Sequence, residues 1–188
     1  NFYFRLGFVN EIDTKNQKVK ADIGELRYDY LVLATGSKTN FFGNKEIERN
    51  SVAMKTIPQS LNIRSLILEN FEQALLTNDI HDRHSLINFV LVGGGPTGVE
   101  LAGALAEMKK AILPKDYPDL DVRKMQINLI QSSDRILDSM SEKSSDAAED
   151  FLIKLGVNVW KNVRVTGYDG STVTTNTDIN CSPFNPFL

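Results

Sequence analysis

The apolar positions of this chain change period along its length, and those changes divide it into strands and helices. Between residues 2 and 33 they alternate: Phe2, Phe4, Leu6 and Phe8, then Val19, Ala21 and Ile23, with the polar run Asp13 to Lys18 between them. Alternation of this kind predicts β-structure with one face covered, and the polar run predicts a turn. Tyr28 to Leu33 has the composition of a buried strand and ends in the small residues Ala34-Thr35-Gly36-Ser37. Small residues there let a bulky ligand lie against backbone, although a plain hairpin end has the same pattern. Phe41 to Asn50 reads as a connection between two units. Thr56-Ile57-Pro58-Gln59 then has the form of a capping box with proline in the first turn. Ile63, Leu66, Ile67, Phe71, Ala74 and Leu75 follow at helical spacing, a stripe that core packing explains.

Asn78 to Ser85 is polar and predicts a solvated loop. Phe89 to Val92, bounded by glycine, predicts a short parallel strand covered on both faces. After the turn that follows, Leu101, Ala102, Leu105, Met108 and Ile112 mark a helical face that Pro114 ends, and Lys115 to Lys124 reads as a surface excursion. Met125 to Gln131 is the next strand. Ser141 is placed to cap a helix with inner face Ala147, Ala148, Phe151, Leu152 and Leu155 and a stop at Gly156. Val157, Val159 and Trp160 begin another strand. Val163 and Val165 lead to a hairpin at Asp169-Gly170, with Thr172 to Thr174 returning. Strand, helix, strand, helix, strand is the order of a mononucleotide-binding half, so the fold class is α/β: a Rossmann-like domain with a parallel sheet, helices and a β-meander. Asn180 to Leu188 has two prolines and no periodicity, as if the chain were truncated or altered there.

The turn Gly93-Gly94-Gly95-Pro96-Thr97-Gly98 fits G-x-G-x-x-G and lies between a predicted strand and a predicted helix. The first glycine permits the turn, the second lets backbone approach a pyrophosphate, and the third lets helix and strand pack closely. The helix would direct its unpaired N–H groups and positive dipole end at the phosphates. This context points to a dinucleotide, NAD(H) or NADP(H). At the end of the second strand an Asp or Glu ordinarily takes the adenosine ribose hydroxyls; here Gln131 holds that position, farther past Gly98 than usual because of the excursion. Glutamine can bond ribose but lacks the charge that repels a 2′-phosphate. NADH is favoured and NADPH stays open, with Arg135 the nearest cation to attract it. Glu100, two residues past the third glycine, either interacts with the helix dipole or faces the nicotinamide end of the coenzyme.

Composition changes this picture little. Of the 188 residues, 41% are hydrophobic and 24% charged, ordinary for a globular chain, and the net charge of −3 with no basic stripe argues against nucleic acid as a partner. No apolar run reaches the roughly 20 residues of a membrane span. The single cysteine, Cys181, excludes an internal disulfide and reads as a bystander. His81 and His84 have no third ligand nearby, so no metal is expected.

Taken together, Tyr28 to Ser37, Asn40-Phe41-Phe42-Gly43, Ile57-Pro58-Gln59-Ser60-Leu61, Gly93 to Gly103 and Leu113-Pro114-Lys115-Asp116-Tyr117-Pro118 resemble the flavoprotein reductases of the pyridine nucleotide-disulfide oxidoreductase superfamily. More narrowly, they resemble the type II NADH dehydrogenases, the NADH:quinone oxidoreductases. The resemblance implies that residues 1–50 are an incomplete piece of an FAD-binding domain, with Ala34, Thr35 and Gly36 against the flavin nucleotide. It implies that residues 51–188 are the NAD(P)H-binding domain, with Gly93, Gly95 and Gly98 at the pyrophosphate. Glu100 would lie near nicotinamide and flavin as the catalytic residue. Family members usually have Glu where this chain has Gln131, which puts a strict NADH preference in doubt. The implied cofactors are FAD and NAD(H). The implied activity is hydride transfer from NADH to FAD and then reduction of a quinone. The chain would be a central fragment with little turnover by itself. The full-length protein would reach the membrane surface through segments absent here and sit in the cytoplasm at its inner face; a homodimer is left open. A soluble reductase using a protein or oxygen as acceptor and a non-catalytic NAD-binding module are the alternatives.

Overall fold

The computed structural model describes residues 2–177. The expectations for Cys181 and for the tail from Asn180 lie outside the described residues. By packing the chain divides into two compact units at Lys38–Thr39, ahead of the 50/51 division drawn from sequence.

The first unit is a three-stranded antiparallel sheet, β1 (Val9–Asp13), β2 (Lys18–Ala21) and β3 (Gly24–Arg27), in that order. The polar run forms the expected turn: the Asp13 carboxylate accepts from the backbone N–H groups of Lys15 and Asn16. The flanking segments do not form the strands that their pattern predicted. Residues 2–8 and 28–38 are irregular. Phe2, Phe4, Leu6 and Phe8 are at least 78% exposed, and so are Tyr30 and Val32. β-propensity is expressed through cross-strand and same-face neighbours, and neither segment has a neighbouring strand among the described residues.

The second unit is built on a parallel sheet, β4 (Phe89–Val92), β5 (Ile127–Ile130) and β6 (Asn158–Trp160), in the order β4-β5-β6. Phe89 stands opposite Ile127 and Val92 opposite Ile130. Alternate residues pack on opposite faces, as a pleat requires. Phe89, Leu91, Ile127 and Leu129 join the main core, and Val90 and Ile130 join a smaller cluster. The main core is closed by α2 (Ile57–Leu76), α4 (Pro96–Ala111) and α6 (Glu142–Lys154). The smaller cluster is closed by α1 (Lys45–Asn50) and the hairpin β7 (Val165–Tyr168) and β8 (Val173–Thr175). The buried polar residue of β5, Asn128, is satisfied: its Oδ1 accepts from Trp160 Nε1 and Asn158 Nδ2, both at 3.1 Å.

Local sequence explains most of these elements. The capping box of α2 forms, with Thr56 accepting from Gln59 N–H and Gln59 reaching back to Thr56 N–H. Of the α2 stripe, Ile63, Ile67, Phe71 and Ala74 are buried, and Leu75, in the last turn, is exposed. Asn78 to Ser85 is not a loop. Asp79 accepts from His81 and Asp82 N–H and starts α3 (Ile80–Leu86). The excursion at Lys115–Lys124 is less superficial than expected: Leu120 is buried, the Tyr117 ring lies 5.6 Å from that of Phe71, and the flanking Leu113 and Met125 are buried too. It starts within α5 (Leu113–Asp116) and ends in a 3₁₀ turn, Val122–Lys124. On α6 the inward face is Ser145, Ala148, Leu152 and Leu155, while Ala147 and Phe151 are exposed. Ser145 sets that phase, because its Oγ donates to the Ile136 carbonyl at 2.6 Å. No helix among the described residues is long and apolar enough to cross a membrane.

Candidate functional site

A cavity of about 1050 Å³ opens at the C-terminal end of β4, and all its lining residues belong to the second unit. In an open α/β sheet this is where ligands bind, outside the carboxyl ends of the strands. Gly93 turns the chain out of β4 with φ +113°, a conformation that side chains rarely adopt. Gly95 is the N-cap of α4, with no side chain capping the helix. Pro96 has no N–H to donate, so the N–H groups of Thr97 and Gly98 have no capping acceptor from a side chain.

The three glycines differ in what surrounds them. A Cβ on Gly98 would lie 2.0 Å from the Gly93 carbonyl oxygen and 3.3 Å from Leu129 Cδ1, so only glycine lets helix and strand approach this closely. A Cβ on Gly95 would meet nothing within 4 Å, and Gly95 lines the cavity. The demand for glycine at 98 is internal to the fold, whereas at 95 no protein atom imposes it. A group occupying the cavity would.

Gly94 serves a different purpose from its neighbours. Its N–H donates to Gln131 Oε1 at 2.8 Å and its carbonyl accepts from Leu137 N–H at 2.7 Å. Gln131 lies where the sequence places it, directly after β5, but both ends of its amide are engaged within the protein, since Nε2 donates to Ser133 Oγ. The segment 131–137 therefore clamps the glycine turn. This takes the Gly94 N–H out of the set available to an anion, a division of labour that the motif alone does not reveal.

Among the sequence-predicted residues, Gly93, Gly95, Pro96, Thr97, Gly98 and Gln131 meet at the cavity. Glu100 is exposed on α4 and Gly94 is buried beneath the turn; neither lines the cavity. Ala34, Thr35 and Gly36 lie in exposed irregular backbone of the first unit, Gly36 with φ +74°. Arg135 is not a lining residue, and its guanidinium donates to the Asp138 carbonyl at 2.7 Å. Sequence reasoning missed Arg164, which lines the cavity and is the one charged residue to do so among the described residues. It also missed the hydroxyl of Tyr168, buried at the same cavity without a hydrogen-bond partner among the described residues. No local signal marks either: Arg164 reaches the cavity once β6 pairs with β5, and Tyr168 once the β7–β8 hairpin packs against Val90 and Ile130. His81 and His84 belong to no metal-holding group among the described residues.

The profile of the pyridine nucleotide-disulphide oxidoreductases matches residues 3–181. The chain is 34% identical over 178 residues to the type II NADH:quinone oxidoreductase Ndh of Mycobacterium tuberculosis, covering 93% of this chain and 38% of that protein. It is 35% identical over 145 residues to the mitochondrial external alternative NAD(P)H-ubiquinone oxidoreductase B3 of Arabidopsis thaliana, covering 77% of this chain and 25% of the plant protein. Among solved structures, NDH2 of Plasmodium falciparum in complex with NADH superposes with a TM-score of 0.77 at 23% identity, over 96% of this chain and 39% of that one, a likeness of fold. The chain thus spans about two fifths of the Mycobacterium relative's length.

Proposed function

The chain belongs to the pyridine nucleotide-disulphide oxidoreductase family, and on that footing we propose that it supplies the coenzyme-binding part of an FAD-dependent NADH:quinone oxidoreductase. The observation that carries the reading is the contrast between two glycines, Gly98 enclosed by protein and Gly95 open to the cavity at an uncapped helix start. That arrangement suits a diphosphate held by backbone N–H groups and the helix dipole. The names of the Mycobacterium and Arabidopsis relatives support NADH or NADPH as donor and a quinone as acceptor.

In this reading residues 51–188 bind the nicotinamide coenzyme and residues 1–50 contribute part of the flavin domain, with Ala34, Thr35 and Gly36 at the flavin nucleotide. The bound cofactors supply the redox chemistry, a hydride passing from nicotinamide to flavin and electrons then to quinone. The protein's share is positional. The turn from Gly93 to Gly98 holds the diphosphate, the Gln131–Leu137 segment keeps the turn in shape, and Glu100 faces the reacting rings from α4. Attachment to the membrane from its cytoplasmic side, and pairing of two copies, belong to the same proposal.

Titration of the chain with NADH, followed by calorimetry, tests it through two substitutions. Gly95→Val leaves the fold intact, because its φ of −74° and ψ of 179° are open to any residue, and abolishes binding by filling the diphosphate position. Gly98→Ala acts on folding instead, lowering stability by about 1–3 kcal/mol through the clash with Gly93. Unchanged NADH affinity in Gly95→Val would sink the assignment.

A further inference from the structure

Arg164 is the place where the cavity departs from a plain NADH site. Its neighbour Val163 donates its N–H to the Gln131 carbonyl at 3.0 Å, so this stretch runs directly beside the end of β5. The backbone of Arg164 is fixed from both sides: its N–H donates to Asn176 Oδ1 at 2.7 Å, and its carbonyl accepts from Asn176 N–H at 2.9 Å. Its guanidinium has no ion pair or hydrogen bond among the described residues. Ser132, the residue after Gln131, lines the same rim, is exposed, and has an equally unengaged hydroxyl. Among the described residues no Asp or Glu lines the cavity.

These features fit one chemistry. The second strand of a dinucleotide-binding half ends at the adenosine ribose, where an acidic residue accepts from the 2′-hydroxyl and repels a 2′-phosphate, and where a nearby arginine accommodates that phosphate. Here the position holds a neutral amide already committed to Gly94 and Ser133. The free groups beside it are a guanidinium, whose planar donors match a phosphate, and a hydroxyl. We infer that Arg164 and Ser132 form a subsite for the 2′-phosphate of NADPH, so that the cleft takes the phosphorylated coenzyme as well as NADH. This rests on the nicotinamide-coenzyme reading above and adds its specificity.

The test titrates the full chain with NADH and with NADPH, for the native protein, Arg164→Gln, Arg164→Lys and Gln131→Glu. The native chain binds NADPH within about tenfold of NADH. Arg164→Gln lowers the NADPH-to-NADH affinity ratio by roughly 10- to 100-fold, the loss expected for a hydrogen bond to a charged group. Arg164→Lys, which keeps the charge but not the planar fork of donors, lowers the ratio less than Arg164→Gln does, and Gln131→Glu shifts it towards NADH by placing a carboxylate at the same rim. Equal losses for both coenzymes in Arg164→Gln, or a ratio as low in Arg164→Lys as in Arg164→Gln, overturn the subsite. So does NADH binding with NADPH rejected by the native chain. A chain that binds neither coenzyme overturns the nucleotide site itself, and the subsite with it.

Discussion

Single residues in this chain separate what the fold needs from what a ligand needs, and Tyr168 shows the distinction at its sharpest. It is only 4% exposed, packs in the smaller cluster beneath β4 and β5, and its hydroxyl has no partner among the described residues. Burial pushes its ionisation well above the ordinary tyrosine range, and the neighbouring charge of Asp169 adds to the shift. A phenol with a raised value is stabilising while protonated. Its contribution is fully present below the unfolded value of about 10 and is lost as pH rises beyond it. Tyr168→Phe removes an unsatisfied buried hydroxyl while keeping the ring. It raises stability near neutral pH by about 1 kcal/mol and abolishes this residue's share of the alkaline decline above pH 10. Urea unfolding at pH 7 and pH 10.5 reads both effects; a variant less stable than the parent at pH 7 would mean that the hydroxyl is satisfied in solution.

At the scale of elements, the glycine turn is shaped from outside its own motif. Ser145 on α6 donates to the Ile136 carbonyl, and the next residue, Leu137, donates to the Gly94 carbonyl. A helix that touches no coenzyme thus helps set the conformation of the turn. Ser145→Ala leaves a buried carbonyl unpaired and lowers stability by roughly 1–2 kcal/mol, with weaker NADH binding because the clamp on Gly94 loosens. A denaturation midpoint indistinguishable from the parent's would show that water or a local shift replaces the bond. The same contact explains one limit of reading the sequence. The capping serine Ser141 located the start of α6, but apolar periodicity put Ala147 and Phe151 inward, because a buried serine does not register as a core position. The parallel strands Phe89–Val92 and Ile127–Ile130 were legible because continuous apolar runs between turn residues have few other solutions. The glycine motif was legible because its spacing carries its own mechanism. Arg164 was not, since it reaches the cavity only once β6 pairs beside β5. The strands expected at 2–8 and 28–33 failed for the opposite reason: alternation announces a face to be covered and says nothing of whether a partner strand lies alongside.

The molecule as a whole is uneven in how its parts are stabilised. Both hydrophobic clusters lie beyond Lys38, and in the first unit Val19 is the one apolar residue that is buried among those described. Its charged pairs, Lys18 with Glu25 and Lys20 with Glu11, are at the surface and add little. A three-stranded sheet with no apolar face packed against another layer is marginal in water, whereas the second unit has a parallel sheet covered on both faces. The second unit also owns the ties that hold α1 in place: Asn44 caps α1 and donates to the Thr166 carbonyl at 3.0 Å, and Asn50 donates to the Tyr168 carbonyl at 3.0 Å. A chain beginning at Thr39 therefore keeps a cooperative thermal transition within about 4 °C of the parent's and keeps its NADH affinity, while a peptide of residues 1–38 shows no cooperative transition. Circular dichroism melts of the two pieces decide it. If the shortened chain loses its transition, the first unit is a structural part of the coenzyme domain, and the flavin role proposed for its residues has to be reconsidered.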